Sequence, residues 1–223
     1  MQKTLFFDLD GTLTDPALGI TKSVAYALDH FGIHVDDLRS LQIYIGPPLL
    51  DSFMRFHHFS EEDAIEAIRV YREYFGVKGL FENEVYPGME AFLSRLIREG
   101  FRLCVATSKP EVYAKRILEY FSLDRYFDAV FGIALDQERE TKADVIGRGL
   151  DSLGLRGREA DVLMIGDRFH DVEGASAQGL GTVGVLYGYG NRQELESAGA
   201  LAVAEDLQEL ETILFAWGKE RNH

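Results

Sequence analysis

Short, almost unbroken apolar runs recur along this chain at residues 4–7, 103–106, 129–133, 162–165 and 182–186. Runs of that length, bounded by polar and Gly-containing segments, predict strands rather than helices. Between the later runs the period changes. Residues 90–98 set Ala91, Phe92, Leu96 and Ile97 on one face of a helix, and residues 111–121 and 142–153 behave alike. Apolar strands alternating with amphipathic helices predict a parallel sheet covered on both faces. Ligands of such sheets gather beyond the carboxyl ends of the strands. Asp8, Thr107 and Asp167 follow three of the predicted strands at those ends.

The segment from 15 to 88 has a different character and no discernible strand. Ile20, Val24, Ala27, Leu28 and Phe31 form a helical stripe, and Ala64, Ile65, Ile68, Tyr71 and Phe75 form another. Ser60 followed by Glu61-Glu62-Asp63 predicts an N-cap and an acidic first turn for the second. Gly46-Pro47-Pro48 marks a break between helices. The expected organisation is a Rossmann-like α/β core, residues 1–14 and 89–223, interrupted by an all-helical cap domain at 15–88. Hinges are expected near 14–16 and 85–88. The alternative is a helical layer belonging to a single domain.

Composition narrows the function classes. The chain has 223 residues, 46% hydrophobic and 12% aromatic, enough for a sizeable core. A formal charge of −14 with no basic run argues against nucleic-acid and anionic-membrane partners. A small phosphate can still be held by local cations and a metal. Cys104 is the only cysteine and lies in an apolar run, so it reads as core filler and no intrachain disulfide can form. No signal-like segment or run of about 20 apolar residues occurs, and a cytoplasmic location is expected.

The candidate chemistry starts at Asp8-Leu9-Asp10-Gly11-Thr12. Alternate residues of an extended chain share a face, so Asp8 and Asp10 leave the first strand in one direction, and Gly11 permits a sharp turn. Two acids aimed at one point repel unless a cation lies between them or one is protonated. That pattern points to a hard-metal site and phosphate chemistry. Thr107-Ser108-Lys109 ends another strand with a hydroxyl and backbone N–H groups suited to an anionic oxygen. Lys142 follows the acidic stretch 136–140 and opens a helix capped by Thr141. Taken singly, it reads as a solvated surface charge. A further strand ends in Gly166-Asp167, and Asp171 four residues on can turn back to complete a carboxylate cluster. His170 lies between them, but magnesium avoids imidazole, so it reads as exposed or structural.

In this order, Asp8-x-Asp10-Gly11-Thr12, Thr107, Lys142 and Gly166-Asp167-x-x-x-Asp171 resemble the four signatures of the haloacid dehalogenase-like superfamily, over essentially the whole chain. The insertion point resembles that of its helical-cap members. Tyr86-Pro87-Gly88, Thr107-Ser108-Lys109-Pro110 and Tyr187-Gly188-Tyr189-Gly190 resemble the phosphoglycolate phosphatase and 5′-nucleotidase-like branch. The resemblance implies a Mg²⁺-dependent phosphatase of small phosphorylated metabolites. It makes Asp8 the nucleophile of an aspartyl-phosphate and Asp10 the general acid and then base. Thr107 and Lys142, with Ser108 and Lys109 beside them, are then expected to bind the phosphoryl group. The implied Mg²⁺ ligands are Asp8, the backbone carbonyl of Asp10 and Asp167, with Asp171 acting through water or by holding the other ligands.

Two alternatives stay open: a phosphomutase, and a non-catalytic phosphometabolite-binding protein. Related mutases carry a cap-hinge histidine where this chain has Pro16-Ala17-Leu18-Gly19-Ile20, and the binding role would require a broken catalytic set. Lys22, Arg55, Arg72 and Lys78 are the cap's main candidates for a cation that meets a substrate carboxylate. Phe53, Phe56 and Phe59 could form a shelf for a nucleobase.

Overall fold

The structure, a computed structural model, describes residues 2–135 and 140–219. The chain forms two compact units, Met1–Thr14 with Val85–His223, and Asp15–Glu84. Strand β1 (Thr4–Phe7) opens the first unit. The chain leaves it through β2 (Thr14–Asp15), runs through helices α1 (Ala17–His30), α2 (Leu49–His57) and α3 (Glu61–Tyr74), and returns through β3 (Glu84–Val85). There follow α4 (Met89–Arg98), β4 (Arg102–Pro110), α5 (Glu111–Tyr120), β5 (Ala129–Ile133), α6 (Lys142–Ser152) and β6 (Val162–Gly166). Then come α7 (Phe169–Ala177), β7 (Gly181–Val185), α8 (Arg192–Ala198), β8 (Ala202–Ala204) and α9 (Leu207–Lys219). Most of the acidic stretch read before Lys142, residues 136–139, lies outside the described residues.

Six of these strands form one parallel sheet in the order β5-β4-β1-β6-β7-β8, and β2 and β3 pair as a separate two-stranded sheet. Strand β1 sits in the middle, Phe7 in register with Val105 of β4 on one side and Ile165 of β6 on the other. The order reverses there, and such a switch point opens a crevice at the carboxyl ends of the strands. Both faces of β1 are buried, as its unbroken apolar sequence requires. Phe6 packs with Cys104, Phe131 and Met164 beneath Val145, Ile146 and Leu150 of α6. Phe7, on the opposite face, meets Phe92 and Phe127 edge-on at 6.3 and 6.1 Å. Cys104 is core filler as expected, and burial pushes its thiol up to about 12.

Several expected details shift. Strand β4 runs on to Pro110 through an irregularity in its pairing with β5, so Thr107 lies within it rather than just beyond it. Strand β8 is only Ala-Val-Ala, too short and too weakly β-prone to stand out. Helix α4 buries Met89, Phe92, Leu93 and Leu96, while Ala91 and Ile97 face solvent. In α3 Ala67 and Val70 are buried and Ile65 is exposed. Both helices have apolar residues on two overlapping stripes, and the neighbouring elements decide which one is covered.

The second unit is helical apart from its terminal strand residues. Gly19 of α1 lies where a Cβ would come within 2.9 Å of the backbone of Gly79 and Glu82, and its N–H donates to the Glu82 carbonyl at 2.8 Å. That close approach needs glycine. Ser60 accepts from the Asp63 N–H, the expected N-cap of α3. The aromatics after the Pro47-Pro48 break pack largely on one another. Phe53 is fully buried, in contact with Tyr44 at 5.1 Å and stacked on Phe59 at 5.9 Å. Phe53 is therefore core, not shelf. Lys22 is held by Glu82 at 2.6 Å. Among the described residues no helix is long and apolar enough to cross a membrane.

Candidate active site

The site grows out of the turn after β1. Asp8 is the first residue beyond the strand, and its N–H still donates to the Ile165 carbonyl at 2.9 Å, as a further rung of the sheet would. The chain then folds over Leu9, whose carbonyl accepts from Leu13 and Thr14 at 2.9 and 3.1 Å. Gly11 takes φ +81°, and a Cβ there would come within 2.6 Å of the Asp167 carboxyl carbon. Glycine at this position therefore serves both the turn and the neighbouring acid.

Asp8, Asp167 and Asp171 offer carboxylate oxygens all within 4.8 Å of one another, and all three are buried. Lys142 meets this group as the first residue of α6, whose start is fixed by a reciprocal cap between Thr141 and Asp144. Its ammonium lies 2.9 Å from Asp8 and 2.8 Å from Asp171, and donates to the Ala106 carbonyl at 3.3 Å. Lys142 is only 6% exposed, which overturns its reading as a solvated surface charge. Spacing alone could not reveal this, because α7 brings Asp171 and α6 brings Lys142 together only in the folded sheet. Gly174 of α7 makes the room, since a Cβ there would come within 2.7 Å of Lys142 Cγ.

Electrostatics match the geometry. Burial alone would pull the Lys142 ammonium down, but Asp171 and Asp8 outweigh it and hold it above its ordinary range. Burial lifts Asp171 to about 6 against the pull of Lys142. Burial, with the charges of Asp171 and Asp8, lifts Asp167 well above the usual carboxylate range, although the Tyr189 N–H opposes this. Burial also raises Asp10, outweighing the Lys109 ammonium that lies 2.7 Å from it. Among the described residues, Asp10 Oδ1 is buried with no hydrogen-bond donor, whereas the buried Oδ1 atoms of Asp8 and Asp171 share the single Lys142 ammonium. Three carboxylates face one ammonium, an excess of two negative charges that suits a hard divalent cation with oxygen ligands. These residues fit such an ion.

The other expected residues divide. Thr107 is buried and its hydroxyl accepts from the Lys109 N–H at 3.2 Å, while Ser108 is half-buried beside it. Asp10 is in reach of Lys109 but stands outside the carboxylate trio. The His170 ring lies against Phe169, 3.7 Å between centroids, and is not part of the acidic cluster. Two contributors escaped the sequence reading. The Thr12 hydroxyl donates to Asp167 Oδ1 at 3.3 Å, and the Tyr189 N–H donates to its Oδ2 at 2.8 Å. Only the nearness of Thr12 to the paired acids hinted at the first.

A parallel sheet with acids and a lysine gathered at its switch point is the architecture of an α/β enzyme of phosphoryl chemistry. The chain belongs to the haloacid dehalogenase-like hydrolases, whose family model matches residues 5–185. It is 47% identical to a 5′-nucleotidase of Pseudomonas aeruginosa over 210 residues, 94% of each chain. A tyrosine-protein kinase, PtkA of Mycobacterium tuberculosis, is 38% identical over 199 residues, 89% of this chain and 67% of that one. A phosphoglycolate phosphatase of Rhodospirillum rubrum is 33% identical over 220 residues, covering 94% and 90% of the two chains. The crystal structure of a predicted phosphatase from Clostridium acetobutylicum superposes with a TM-score of 0.93 at 50% identity, covering 97% of this chain and 99% of that one. The protein is thus a hydrolase of this family, with phosphatases among its relatives.

Proposed function

We propose that this protein is a Mg²⁺-dependent phosphatase of small phosphate monoesters, working through an aspartyl-phosphate on Asp8. The observation that carries the reading is the meeting of Asp8, Asp167, Asp171 and Lys142 at the end of β1, with Asp10 following Asp8 in the same turn beside Lys109. Asp8, Asp167, Asp171 and the Asp10 carbonyl would hold the ion. When bound, it neutralises phosphate charge that the carboxylates would otherwise repel. An Asp8 oxygen attacks phosphorus as the bond to the leaving alcohol breaks. Asp10, whose carboxyl is raised by burial, gives its proton to that alcohol. The Asp10 carboxylate then takes a proton from water, whose oxygen attacks phosphorus, breaks the bond to Asp8 and releases phosphate. Lys142 and Thr107 hold the phosphoryl oxygens through both steps.

The core residues recognise only the phosphoryl group. Selectivity therefore rests with the helical unit acting as a cap and with the segment around Lys109. The nucleotidase and the phosphoglycolate phosphatase among the relatives support nucleoside monophosphates and phosphoglycolate as substrates. A panel of phosphate monoesters, with and without Mg²⁺, tests the reading. Phosphate release should require Mg²⁺, spread over roughly two decades of efficiency across substrates, and vanish in Asp8→Asn while circular dichroism is unchanged. Turnover in Asp8→Asn near the unaltered enzyme's would sink the covalent route, and isomerised product without phosphate release would point to a mutase. A cap that closes should slow hydrogen exchange at 14–16 and 85–88 when Mg²⁺ and beryllium fluoride are added; unchanged exchange counts against it.

A further inference from the structure

We infer that the Tyr187-Gly188-Tyr189-Gly190 segment after β7 is a clamp that fixes Asp167 in its ion-binding orientation before any ion arrives. The inference rests on the Mg²⁺ site proposed above and assigns positioning residues for it. Asp167 is fully buried, and both its oxygens are held from outside the carboxylate trio. Thr12 donates to Oδ1 at 3.3 Å and the Tyr189 N–H donates to Oδ2 at 2.8 Å. The carboxyl is also gripped sterically. A Cβ at Gly188 would come within 2.5 Å of both Asp167 Cβ and Oδ2, so the backbone of the segment lies flat against the side chain. Gly11 presses from the β1 turn in the same way. A Cβ at Gly190 would collide with the Asp167 carbonyl oxygen.

The two sides of the clamp are tied together. The Tyr187 hydroxyl donates to the Thr12 carbonyl at 3.1 Å, which joins the segment after β7 to the turn after β1. Tyr86 packs edge-on against Tyr187 at 4.9 Å, and its N–H donates to the Leu13 carbonyl at 3.3 Å, closing the ring of contacts. An unclamped acid in that place could rotate away from Asp8 and Asp171. Outer partners that orient a ligand typically alter metal affinity 10–100-fold when lost.

The test is calorimetric titration of the full chain with Mg²⁺ alone, beside steady-state activity as a function of Mg²⁺. Tyr187→Phe keeps the ring and removes the tie to Thr12; Thr12→Val removes one donor; Gly188→Ala forces the segment off Asp167. A clamp predicts that Mg²⁺ Kd rises about 3–10-fold in the first two and 10–100-fold or more in the third. It also predicts that kcat at saturating Mg²⁺ recovers to within about threefold in Tyr187→Phe and Thr12→Val. Unchanged Mg²⁺ affinity in both mild variants, or a loss of kcat that excess Mg²⁺ does not restore, overturns it. Should Gly188→Ala fail to fold, those two variants decide the question. The unaltered chain and Asp167→Asn serve as references: no Mg²⁺ binding in the unaltered chain would refute the metal site and the clamp with it, whereas normal binding there with unchanged affinity in the mild variants overturns the clamp alone.

Discussion

Lys142 shows how one side chain can have two consequences. It is buried with its charge between Asp8 and Asp171, so removing it strips the phosphoryl group of a cation and leaves the acids uncompensated. Lys142→Met keeps most of the packing and isolates the charge. We expect turnover to fall at least a hundredfold and, in the absence of metal, stability to fall by about 3–5 kcal/mol, the usual effect of breaking a buried pair from one side. Phosphate release and urea melts measure the two. A fall below tenfold would mean the phosphoryl oxygens are neutralised elsewhere. At this scale the sequence pointed to residues that the fold brings together and was poor about their surroundings. The spacing of Asp8 and Asp10 on a strand carries its own geometry. The burial of Lys142, the pairing of Asp10 with Lys109 and the donors on Asp167 depend on contacts between residues far apart in the chain.

The helices set the site as much as the strands do. Helix α6 delivers Lys142 from its first position because Thr141 and Asp144 cap it there, and α7 leaves space for that side chain only because it carries Gly174. In an ordinary helix interior, alanine is more stable than glycine by about 1 kcal/mol. Gly174→Ala should do the reverse here, displacing the Lys142 stem, lowering the melting temperature and reducing turnover tenfold or more. A stabilised and fully active Gly174→Ala would show that the two helices adjust freely. The same dependence on packing explains where elements were legible. Strands buried on both faces announce themselves as apolar runs, and the cap residues Ser60 and Thr141 mark helix starts. The extension of β4 past Thr107, the three-residue β8 and the solvent-facing Ile97 and Ile65 are set by neighbours, which local pattern does not contain.

For the molecule as a whole, the acidic cluster ties stability to pH. Asp171, lifted to about 6, and Asp167 bind protons more tightly in the folded chain than in the unfolded one. Between about pH 4 and 6 the folded state then holds more protons, so without metal the stability falls as pH rises through that window. A bound divalent ion favours the ionised acids and should reverse the trend. Thermal melts at pH 5 and 7.5 should show Mg²⁺ raising the melting temperature more at pH 7.5. An equal or greater rise at pH 5 would mean that the ion does not engage these carboxylates.

The central position of β1 has a consequence for synthesis on the ribosome. The helical unit, Asp15–Glu84, has all its internal partners once residue 84 has emerged. Strand β1 is made earlier but pairs only with residues 102–105 and 162–165. At ~5–20 residues per second it waits on the order of ten to thirty seconds for its second neighbour. Until residues 102–105 follow, Leu5, Phe6 and Phe7, which end fully buried, have no sheet to enter, and until 162–165 follow they have one neighbour of two. The strand that carries the paired acids is thus made well before either of its neighbours, while the helical unit that follows it needs nothing beyond residue 84.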